Sequence, residues 1–432
     1  MSASFTFLRS LYDVALHQAR PEAVVPAHLP TPPKGRTVVI GAGKAAAAMA
    51  LAFESHWPAS APLSGDVVTR DGHVPSAWGD APRRIRVHEA AHPVPDARGL
   101  TGVQRLREAL VGLGPDDLVV ALISGGGSAL LPAPWPGATL ADEAALNEQL
   151  LRCGASITEM NTVRRHLSTL KGGRLAQLCR PARLWTLVMS DVPGDGLADI
   201  ASGPTVPDPT TCADTLAVIA RYGLQLPEAA LAALARGDFE TPKPGDAAFA
   251  HDEVRLIAAP RQSLQAAADW ARAHGVTPWV LGDALEGEAR EVAIVQAGMA
   301  LAAQAGRGLG PAPCVLLSGG EATVTLPRDA AFKGVGGRCS EFALAAALYL
   351  RGAPGIWGLV AGTDGIDGRG DAAGAVFGPQ TLADAQALGL DAAAMLAAHD
   401  SGTFFGRLGA QVVTGPTCTN VNDFRALLVM PA

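Results

Sequence analysis

Short apolar runs alternate with longer stretches of helical periodicity along this chain, and that alternation limits its fold more than any other feature. In the first half, the apolar runs predict strands at residues 37–40, 66–69, 85–88, 118–123 and 184–189. Helical spacing fills the intervals near residues 98–111 and 155–177. Strands that alternate with helices in this way predict an α/β fold with a mainly parallel sheet covered by helices.

A second alternating series follows in the other half of the chain. It predicts strands at residues 254–258, 278–281, 314–317 and 358–361, and helices near residues 262–273, 286–305 and 341–348. An amphipathic helix, with apolar residues from Phe5 to Ala15, precedes both series. The polar, proline-containing stretch 236–252 lies between the series and favours a domain boundary. We therefore predict two α/β domains, residues 1–245 and a smaller mixed domain at 246–432, between which the chain can cross more than once.

Charge, cysteine content and hydropathy narrow the class of protein. The 432 residues carry a net charge of −7, so no basic surplus is available to neutralise a nucleic-acid backbone. The six cysteines are scattered, and none forms the C-x-x-C pair of zinc ribbons. Arg9 and Asp13 interrupt the apolar core that a signal peptide needs, and no apolar stretch reaches the length of a membrane span. These features favour a cytoplasmic enzyme that binds neither nucleic acid nor membranes.

The first predicted strand ends in a glycine turn, V-V-I-G-A-G-K-A-A, at residues 38–46. Gly41 and Gly43 would let backbone N–H groups approach a phosphate, and the N-terminus of the following helix adds a favourable field. The turn fits the dinucleotide pattern G-x-G-x-x-G/A with Ala46 in its last place, while Lys44 adds a cation beside the phosphate position. A tight turn with a surface lysine is the alternative. The sequence contains no Walker A motif, which excludes a P-loop kinase.

Two further glycine loops follow predicted strands. The earlier loop contains three glycines between two hydroxyl residues: Ser124, Gly125, Gly126, Gly127 and Ser128. The later loop contains Ser318, Gly319 and Gly320, followed by Glu321. Consecutive glycines allow a nest of N–H donors, and ligands of open parallel sheets bind beyond the carboxyl ends of the strands. Each loop is therefore a predicted phosphate-binding site, with an ordinary glycine turn as the alternative.

Acidic residues follow two of the predicted strands. Asp191 lies just past a strand, and Asp195 lies four residues later in the same loop. Because Mg²⁺ is commonly held by one or two carboxylates plus substrate phosphates, this pair is a predicted magnesium site. Asp364 and Asp367 lie among glycines after another strand and are candidates to orient a substrate. Aspartate is also common in turns beside Pro and Gly, which is the alternative for all four residues.

Cations are concentrated in two stretches. Arg164, Lys171 and Arg174 recur at roughly helical spacing within residues 161–174 and could face an anionic ligand, although a solvated basic face would show the same pattern. Arg338 stands where a glycine-rich loop enters a predicted helix. It could bind a small carboxylate or stabilise a transferring phosphoryl group, or it could pair with Glu341 as an ordinary helix-start arginine.

Residues 88–92 read H-E-A-A-H, which matches the H-E-x-x-H signature of zinc proteases. That chemistry requires both histidines on one face of a helix. Here a strand-like I-R-V precedes the motif, and Pro93 biases His92 away from helical geometry. We therefore predict a strand and no zinc site.

Taken together, the motifs resemble those of the glycerate 2-kinase family, the two-domain type whose C-terminal half is called the MOFRL domain. The matching stretches, in order, are V-I-G-A-G-K-A-A, E-A-A-H-P-V-P-D, S-G-G-G-S-A-L-L, H-L-S-T-L-K-G-G-R-L-A, S-D-V-P-G-D, S-G-P-T-V-P-D, L-S-G-G-E-A-T-V, G-T-D-G-I-D-G and T-G-P-T-C-T-N-V-N-D. The resemblance implies a Rossmann-like first domain and an active site in the cleft between domains. It also implies ATP- and Mg²⁺-dependent phosphorylation of glycerate at its 2-hydroxyl.

The resemblance also implies roles for individual residues. The essential lysine and arginine of the family match Lys44 and Arg338. This chain has Cys339 and Ser340 where the family usually has Asn and an amide residue, so contacts made by those amides do not carry over.

A mechanism follows from these residues and from the physics of phosphoryl transfer, in which positioning and charge stabilisation do most of the catalysis. Asp191 or Asp195 would hold Mg²⁺, and the Ser124–Ser128 loop would hold phosphate oxygens. Lys44 would stabilise the transferring group. Arg338 would hold the glycerate carboxylate or share that stabilisation, and Glu321 would orient the attacking hydroxyl.

Two other classes of function fit part of the pattern. An NAD(P)H-dependent hydroxypyruvate reductase would use the first glycine turn for its dinucleotide, with Asp66 near the position of a ribose-binding acid. A non-catalytic sugar-phosphate sensor would need only the glycine loops, and would have no use for Lys44 and Arg338. A homodimer is compatible with the sequence.

Overall fold

The protein folds into two compact units, each built around its own six-stranded sheet. The computed structural model describes residues 3–79, 81–326 and 334–431. The first unit comprises Pro21–Asp191 and Asp195–Ile257, and the second comprises Met1–Arg20, Val192–Gly194 and Ala258–Ala432. The predicted α/β fold class is confirmed.

Helices and strands alternate along most of the described residues. The α-helices are α1 (Ala3–Gln18), α2 (Pro21–Val24), α3 (Ala46–His56), α4 (Ala97–Ala109), α5 (Gly127–Leu130), α6 (Leu140–Arg152), α7 (Ile157–His166), α8 (Arg174–Leu178), α9 (Cys212–Tyr222), α10 (Glu228–Arg236), α11 (Pro260–Ala273), α12 (Ala289–Gln304), α13 (Arg338–Leu350), α14 (Thr381–Ala387), α15 (Ala392–Ala397) and α16 (Ser401–Arg407). The strands are β1 (Thr37–Ala42), β2 (Leu63–Arg70), β3 (Ile85–Ala90), β4 (Leu118–Ser124), β5 (Arg183–Met189), β6 (Glu253–Ala258), β7 (Thr277–Gly282), β8 (Gly287–Glu288), β9 (Cys314–Ser318), β10 (Ala322–Thr323), β11 (Ile356–Gly362), β12 (Gly374–Phe377), β13 (Gln411–Val412) and β14 (Asp423–Val429). Short 3-10 helices lie at Val25–His28, Ser76–Trp78, Pro193–Asp195, Ile200–Ser202 and Ala247–Phe249. Within the described ranges, no helix has the length and apolar content needed to cross a membrane.

The sheet of the first unit is mainly parallel, with strand order β3-β2-β1-β4-β5-β6. β1 pairs in parallel with β2 and β4, β2 with β3, and β4 with β5. Every residue of β1 and β4 is buried, which is the pattern of central parallel strands covered on both faces. Because β1, β4 and β5 are parallel neighbours, the loops that follow them emerge at the same edge of the sheet.

The helix predicted over residues 155–177 is interrupted, which corrects the prediction. α7 ends at His166 and α8 begins at Arg174. Gly172 and Gly173, which precede α8, have φ angles of +60° and +84°. These left-handed conformations are cheap for glycine and incompatible with a continuous right-handed helix. The basic residues of this stretch therefore do not share one helical face.

The sheet of the second unit is mixed, with strand order β13-β12-β11-β14-β9-β7. β7 and β9 are parallel, whereas β14 is antiparallel to both β9 and β11. We did not predict β14, although all of its residues are buried. Arg425 interrupts its apolar run, and this arginine is accommodated because it donates to the carbonyls of Gly319 and Gly320 and to the carboxylate of Asp423.

The N-terminal helix α1 belongs to the second unit, although the chain continues directly into the first. It packs against α11, and the two contribute to one apolar cluster that includes Leu8, Leu11 and Leu264. The hydroxyl of Tyr12 donates to the carbonyl of Gly362, 2.8 Å away. The predicted amphipathic helix is present, and its apolar face has its partner more than 200 residues later in the sequence.

The polar stretch that suggested a domain boundary lies wholly within the first unit. Residues 236–252 belong to the first unit, where Asp252 pairs with Arg180. The following strand, β6, adds to the edge of the first sheet beside β5, and the units separate after Ile257. The limits 1–245 and 246–432 stay a prediction for the domains, and the polar stretch is held in place by ion pairs.

A buried histidine in the first unit predicts loss of stability in acid. His166 lies at the end of α7, with Nε2 3.2 Å from Glu240 Oε1 and Nδ1 3.7 Å from Asp208 Oδ2. Burial lowers the pKa of His166 and outweighs the opposing effects of Thr162, Asp208 and Glu240. The unfolded state, with a histidine pKa of about 6.5, therefore binds this proton more readily, and stability should fall as the pH drops below about 6.5.

Urea unfolding at about pH 7.5 and about pH 5.5 measures this effect, which can reach about 1.4 kcal/mol for each pH unit within the window. His166→Gln should flatten the pH dependence, whereas His251→Gln, an exposed histidine of the same unit, should leave it unchanged. Equal pH slopes in the wild type and in His166→Gln would contradict this assignment.

Candidate functional site

The glycine–lysine turn after β1 is held by hydrogen bonds to β2 and to the second glycine loop. Gly43 N donates to Val68 O over 3.1 Å, Lys44 N donates to Gly125 O over 2.8 Å, and Thr69 Oγ1 donates to Gly43 O over 3.1 Å. A Cβ on Gly43, whose φ is +135°, would lie 2.1 Å from Ser124 Oγ. Glycine is therefore required here by the neighbouring strand β4, and the turn places Lys44 directly beside the second glycine loop.

Gly41 has the same relation to β4. A Cβ on Gly41 would lie 2.4 Å from the carbonyl oxygen of Leu122. Both glycines of the turn thus allow β1 and β4 to approach each other closely. Their predicted role in binding phosphate stays a prediction.

The loop after β4 lies under the Lys44 side chain. Ser124 is fully buried, and its Oγ accepts a hydrogen bond from Ala45 N over 3.0 Å, so this hydroxyl fixes the lysine turn. A Cβ on Gly126 would lie 3.3 Å from Lys44 Cγ and 3.1 Å from His92 Nε2. Gly126, with φ +79°, thus leaves a shallow space that Lys44 and His92 border. A cation beside a glycine loop at the start of a helix is an arrangement that suits an anion.

The two predicted metal ligands lie in the loop after β5. The carboxylate of Asp191 packs against Gly125, where an added Cβ would lie 1.7 Å from Asp191 Oδ2. Asp195 has a left-handed backbone with φ 55°, and its buried Oδ1 has no hydrogen-bond partner among the described residues. A buried carboxylate oxygen without a described hydrogen-bond partner, in a loop that carries a second carboxylate, fits a hard cation such as Mg²⁺.

Gly125→Ala should therefore disrupt the site without unfolding the protein. The new methyl group would overlap the Asp191 carboxylate and displace it, since Gly125 has an ordinary backbone conformation and the clash is with a side chain. We expect a rise of about tenfold or more in the Mg²⁺ concentration needed for half-maximal activity. Gly114→Ala, where the nearest atom is 3.8 Å away, is the matched control. Unchanged Mg²⁺ dependence in Gly125→Ala would show that Asp191 does not take part in metal binding.

The C-terminal end of the loop is linked to a strained segment. Ser128 Oγ lies 2.7 Å from Ser202 Oγ, and Ser202 donates to Asn161 Oδ1 over 3.0 Å. Ala201 and Ser202 both have left-handed backbones, with φ angles of 53° and 58°. A Cβ on Gly127 would lie 2.5 Å from the Ala201 side chain, so this glycine allows the two segments to pack. Consecutive strained residues are found more often at functional sites than elsewhere.

The basic residues of 161–174 are neither a solvated face nor a single anion site. Arg165 pairs with Asp199 and Asp208, and Lys171 pairs with Glu143. Arg174 donates to four backbone carbonyls, those of Arg165, Lys171, Phe239 and Glu240. Of the three residues singled out from the sequence, Lys171 and Arg174 thus have internal acceptors, so neither a solvated face nor an anion site describes these two.

In the second unit, Arg338 begins α13 and is held by two acids. Its Nε donates to Asp423 Oδ1 over 2.8 Å, and its Nη1 donates to Glu321 Oε1 over 2.6 Å. Burial acts to lower the pKa of Arg338, but Asp423 and Glu321 outweigh it and raise the pKa further above its ordinary value. Among the described residues Nη2 makes no hydrogen bond, so the outer edge of the guanidinium can meet a ligand.

The S-G-G-E loop after β9 is directed inward except for its last residue. Ser318 is fully buried, and its Oγ donates to Gln296 Oε1 over 3.1 Å. The carbonyls of Gly319 and Gly320 accept from Arg425. The predicted phosphate contact of the Ser318 hydroxyl is therefore not available in this conformation. The loop positions Glu321, whose side chain is 47% exposed beside Arg338.

Asp367 has a different position from the one expected of a substrate-orienting acid. Its carboxylate accepts from the backbone N–H groups of Gly337, Cys339 and Ser340 at 3.1, 2.9 and 2.8 Å. Burial raises its pKa despite these donors. Asp367 therefore caps the start of α13, the helix on which Arg338 stands, and its carboxylate is engaged by these backbone donors.

Asp364 and the two residues after Arg338 are also internal. Asp364 is buried, and its Oδ1 accepts from Ile366 N within the same turn. Cys339 is buried at the start of α13, and the Ser340 hydroxyl bonds to Gly337 and Ser401. The backbone N–H groups of Cys339 and Ser340 donate to the Asp367 carboxylate, so this cap does not depend on the side chains of the two residues.

Each unit thus brings some of the predicted site residues together. The first unit groups Lys44, Ser124, Gly125, Gly126 and Asp191 at one sheet edge. The second unit groups Glu321 and Arg338. The individual roles assigned to these residues stay predictions.

Sequence reasoning did not select His92 in the first unit or Asp423 in the second as site residues. A signal existed for both, because each lies inside a stretch that carried the family resemblance, E-A-A-H-P-V-P-D for His92 and T-G-P-T-C-T-N-V-N-D for Asp423. His92 also belongs to the H-E-A-A-H stretch, for which no zinc site is predicted. Residues 85–90 form β3 as predicted, and the loop that follows brings His92 to Gly126.

Asp66, the acid expected to bind ribose in a reductase, is paired with other side chains. Asp66 lies inside β2, is fully buried, and accepts two hydrogen bonds from Arg86 and one contact from His88 Nε2 at 2.7 Å. Burial raises the pKa of Asp66, but the hydrogen bonds from His88 and Arg86 outweigh burial and lower it. A ribose hydroxyl would have to replace these partners.

Comparisons with known proteins cover most of the chain. The sequence profile of a domain of unknown function, DUF4147, matches residues 7–235, and that of the MOFRL family matches residues 314–423. A protein of Agrobacterium vitis provisionally named hydroxypyruvate reductase is 54% identical over 423 residues, which are 98% of this chain and 94% of the relative. The D-glycerate 2-kinase of Thermotoga maritima is 37% identical over 403 residues, 93% of each chain. A crystal structure of glycerate kinase from Thermotoga maritima superimposes with a TM-score of 0.86 at 35% identity, covering 98% of this chain and 99% of that one.

Proposed function

The chain belongs to the glycerate 2-kinase family with a C-terminal MOFRL domain, and from this premise we propose that it transfers the γ-phosphoryl group of ATP to the 2-hydroxyl of D-glycerate. The products are 2-phosphoglycerate and ADP. The observation that carries this proposal is the position of Lys44 beside the Ser124–Ser128 glycine loop. A lysine at this point offers positive charge to a transferring phosphoryl group, and the dinucleotide pattern G-x-G-x-x-G/A does not call for one.

The first unit is proposed to bind the nucleotide phosphates. N–H groups of the glycine loop and the Lys44 ammonium would surround the phosphate oxygens, and the lysine would stabilise charge that develops as the phosphoryl group moves. Ser124 acts indirectly, because its buried hydroxyl holds Ala45 and thereby the lysine turn. Asp191 and Asp195 would hold Mg²⁺, which when bound neutralises charge on the ATP phosphates.

The second unit is proposed to act on the acceptor. Arg338 Nη2 would bind the glycerate carboxylate or share in stabilising the phosphoryl group, while Asp423 and Glu321 keep the guanidinium in one orientation. Glu321 is partly exposed and would orient the attacking hydroxyl. Asp367 contributes by fixing the start of α13, from which Arg338 projects. The proposed reaction is cytoplasmic, and a homodimer stays a prediction.

Reduction of hydroxypyruvate by NAD(P)H is the second candidate, because 54%-identical relatives carry that provisional name. The arrangement of Asp66 speaks against it, since the acid that would bind ribose is paired with Arg86 and His88. The sensor class is disfavoured, because the relatives compared above carry the names of enzymes, glycerate kinase or hydroxypyruvate reductase.

Two assays on the purified protein separate the two candidates. ADP release measured with D-glycerate, ATP and Mg²⁺ supports the kinase, and phosphorus NMR of the product distinguishes 2-phosphoglycerate from the 3-isomer. Oxidation of NADH or NADPH in the presence of hydroxypyruvate supports the reductase. Hydroxypyruvate-dependent oxidation without any ADP release would overturn the kinase proposal.

A further inference from the structure

Arg164 in the first unit has no ion pair with any described acid. Arg164 lies on α7 and is partly buried. Its Nε donates to Asn147 Oδ1 over 2.9 Å, and its Nη1 donates to Asn161 Oδ1 over 3.2 Å. Within the described ranges no carboxylate forms an ion pair with it, and Nη2 makes no hydrogen bond. Two neutral amide oxygens therefore fix the plane of the guanidinium and leave its outer edge unused.

The other cations of the same segment do not share this property. Arg165 and Lys171 are paired with acids, and Arg174 is saturated with carbonyl oxygens. The acid whose charge acts on Arg164, Glu143, already accepts from Lys171 Nζ at 2.9 Å and from Ala133 N at 2.9 Å. Arg164 thus differs from the other cations in having neither an ion pair nor an acceptor for Nη2 among the described residues.

Leaving a cation partly desolvated without an anion is unfavourable. Burial lowers the pKa of Arg164 to about 10, with only Glu143 opposing it. A charge in such surroundings is normally paired with an acid or replaced by a neutral side chain. An arginine that is oriented by hydrogen bonds but left uncompensated is what a site for an anionic ligand requires.

The position of Arg164 connects it to the second glycine loop. The oxygen of Asn161 that accepts from Arg164 Nη1 also accepts from Ser202 Oγ, and Ser202 Oγ lies 2.7 Å from Ser128 Oγ. Asn161 is itself fixed, because its Nδ2 donates to Asp199 O over 3.0 Å. A continuous line of side chains therefore runs from the loop to the arginine, through the segment in which Ala201 and Ser202 have left-handed backbones.

We propose that Arg164 binds an oxyanion of the substrates through Nη2 and the outer edge of its guanidinium. The ligand chemistry is a carboxylate or a phosphoryl group, supplied either by glycerate or by the nucleotide. The naming of these two sources rests on the proposed function, whereas the anion site itself does not. Asn161 and Asn147 are positioning residues, because they orient the Arg164 guanidinium for the ligand without neutralising its charge.

Binding measurements on the full-length protein test the proposal independently of turnover. The probes are inorganic phosphate, D-glycerate, and ATP with Mg²⁺, followed by calorimetry and by the ligand-induced shift in melting temperature. Arg164→Gln should weaken binding of at least one probe by about 10- to 100-fold, the range for a lost charge-assisted pair. The melting temperature of the ligand-free variant should equal or exceed that of the wild type, because an uncompensated charge has been removed. Arg152→Gln removes an arginine of the same unit whose side chain is 76% exposed, and should change neither quantity.

The probes also identify the source of the anion. Selective loss of D-glycerate binding assigns Arg164 to the carboxylate, and selective loss of ATP binding assigns it to the nucleotide phosphates. Loss of phosphate binding in a protein that shows no kinase activity would sink the proposed function while keeping the anion site.

Other outcomes overturn the inference. A lower melting temperature in Arg164→Gln with unchanged affinity for every probe would show that the arginine is structural. So would a wild-type protein that binds none of the three probes. If Arg164→Gln does not fold, Arg164→Lys decides the question: it retains the charge but lacks the planar fork, so binding should weaken about tenfold. Wild-type affinity in Arg164→Lys would then contradict the proposal.

Discussion

Lys44→Ala is expected to reduce kcat about 10³-fold while leaving the folded structure intact, because the ammonium would act on charge that develops during phosphoryl transfer. The turn that carries Lys44 is held by backbone groups and by the Thr69 and Ser124 hydroxyls, so truncation of the lysine side chain leaves those contacts in place. KM for D-glycerate should change much less than kcat. Steady-state kinetics, with circular dichroism and thermal unfolding on the same samples, measure both parts of this expectation.

The matched control is Lys34→Ala, which removes the same charge from an exposed position of the same unit. It should show wild-type kinetics. Near-normal turnover in Lys44→Ala would remove the lysine from the mechanism. A large loss of melting temperature would instead show that the side chain contributes mainly to folding, since activity would then be lost together with the structure.

Arg338→Gln is expected to lower kcat/KM by about 10²- to 10³-fold. The substitution removes the cation that the second unit is proposed to offer to the acceptor, and leaves Asp423 with Arg425 as its arginine partner. Unlike the lysine variant, this one should also be less stable, because an acid that is 1% exposed loses an ion pair. The division of the effect is informative: a raised KM for D-glycerate indicates a bond to the carboxylate, and a lowered kcat indicates stabilisation of the transferring group.

Two comparisons separate chemistry from stability for Arg338. Arg338→Lys keeps a positive charge but cannot reach Asp423, Glu321 and a ligand with one planar fork, so most of the activity should still be lost. Arg307→Gln removes an exposed arginine of the same unit and should behave as the wild type. Full activity in Arg338→Lys would argue that only the charge near Asp423 matters, and not the geometry of the guanidinium.

The sequence carried most of the information about the fold. Period-two and period-3.6 patterns act over a few residues, so they predict strands such as β1 and β4 and helices such as α11 and α12 correctly. They fail where a partner elsewhere in the chain changes the local preference. β14 tolerates the buried Arg425 because the carbonyls of Gly319 and Gly320 accept from it. The predicted helix at 155–177 fails for a local reason, since α7 ends at His166 and the left-handed Gly172 and Gly173 precede α8.

For the candidate site, too, some features follow from the sequence and others only from the folded structure. The sequence by itself determined that glycine turns follow β1 and β4, that Lys44 stands in the first of them, and that Asp191 follows β5. Parallel pairing of these strands then places their loops at one edge of the sheet. What a strand-end position cannot reveal is whether a polar group remains available to a ligand, since that depends on its hydrogen-bond partners.

Only the tertiary structure decided which groups remain available. The Ser124 hydroxyl accepts a hydrogen bond from Ala45 N, 79 positions earlier. The Asp367 carboxylate accepts from N–H groups at the start of α13, 27 to 30 positions earlier. Arg338 is held by Asp423, 85 positions later. Arg164 differs from the cations around it because no described acid forms an ion pair with it and its Nη2 has no described acceptor. Local periodicity places a residue on an element, but the free energy of burying a polar or charged group depends on partners that only the folded chain provides.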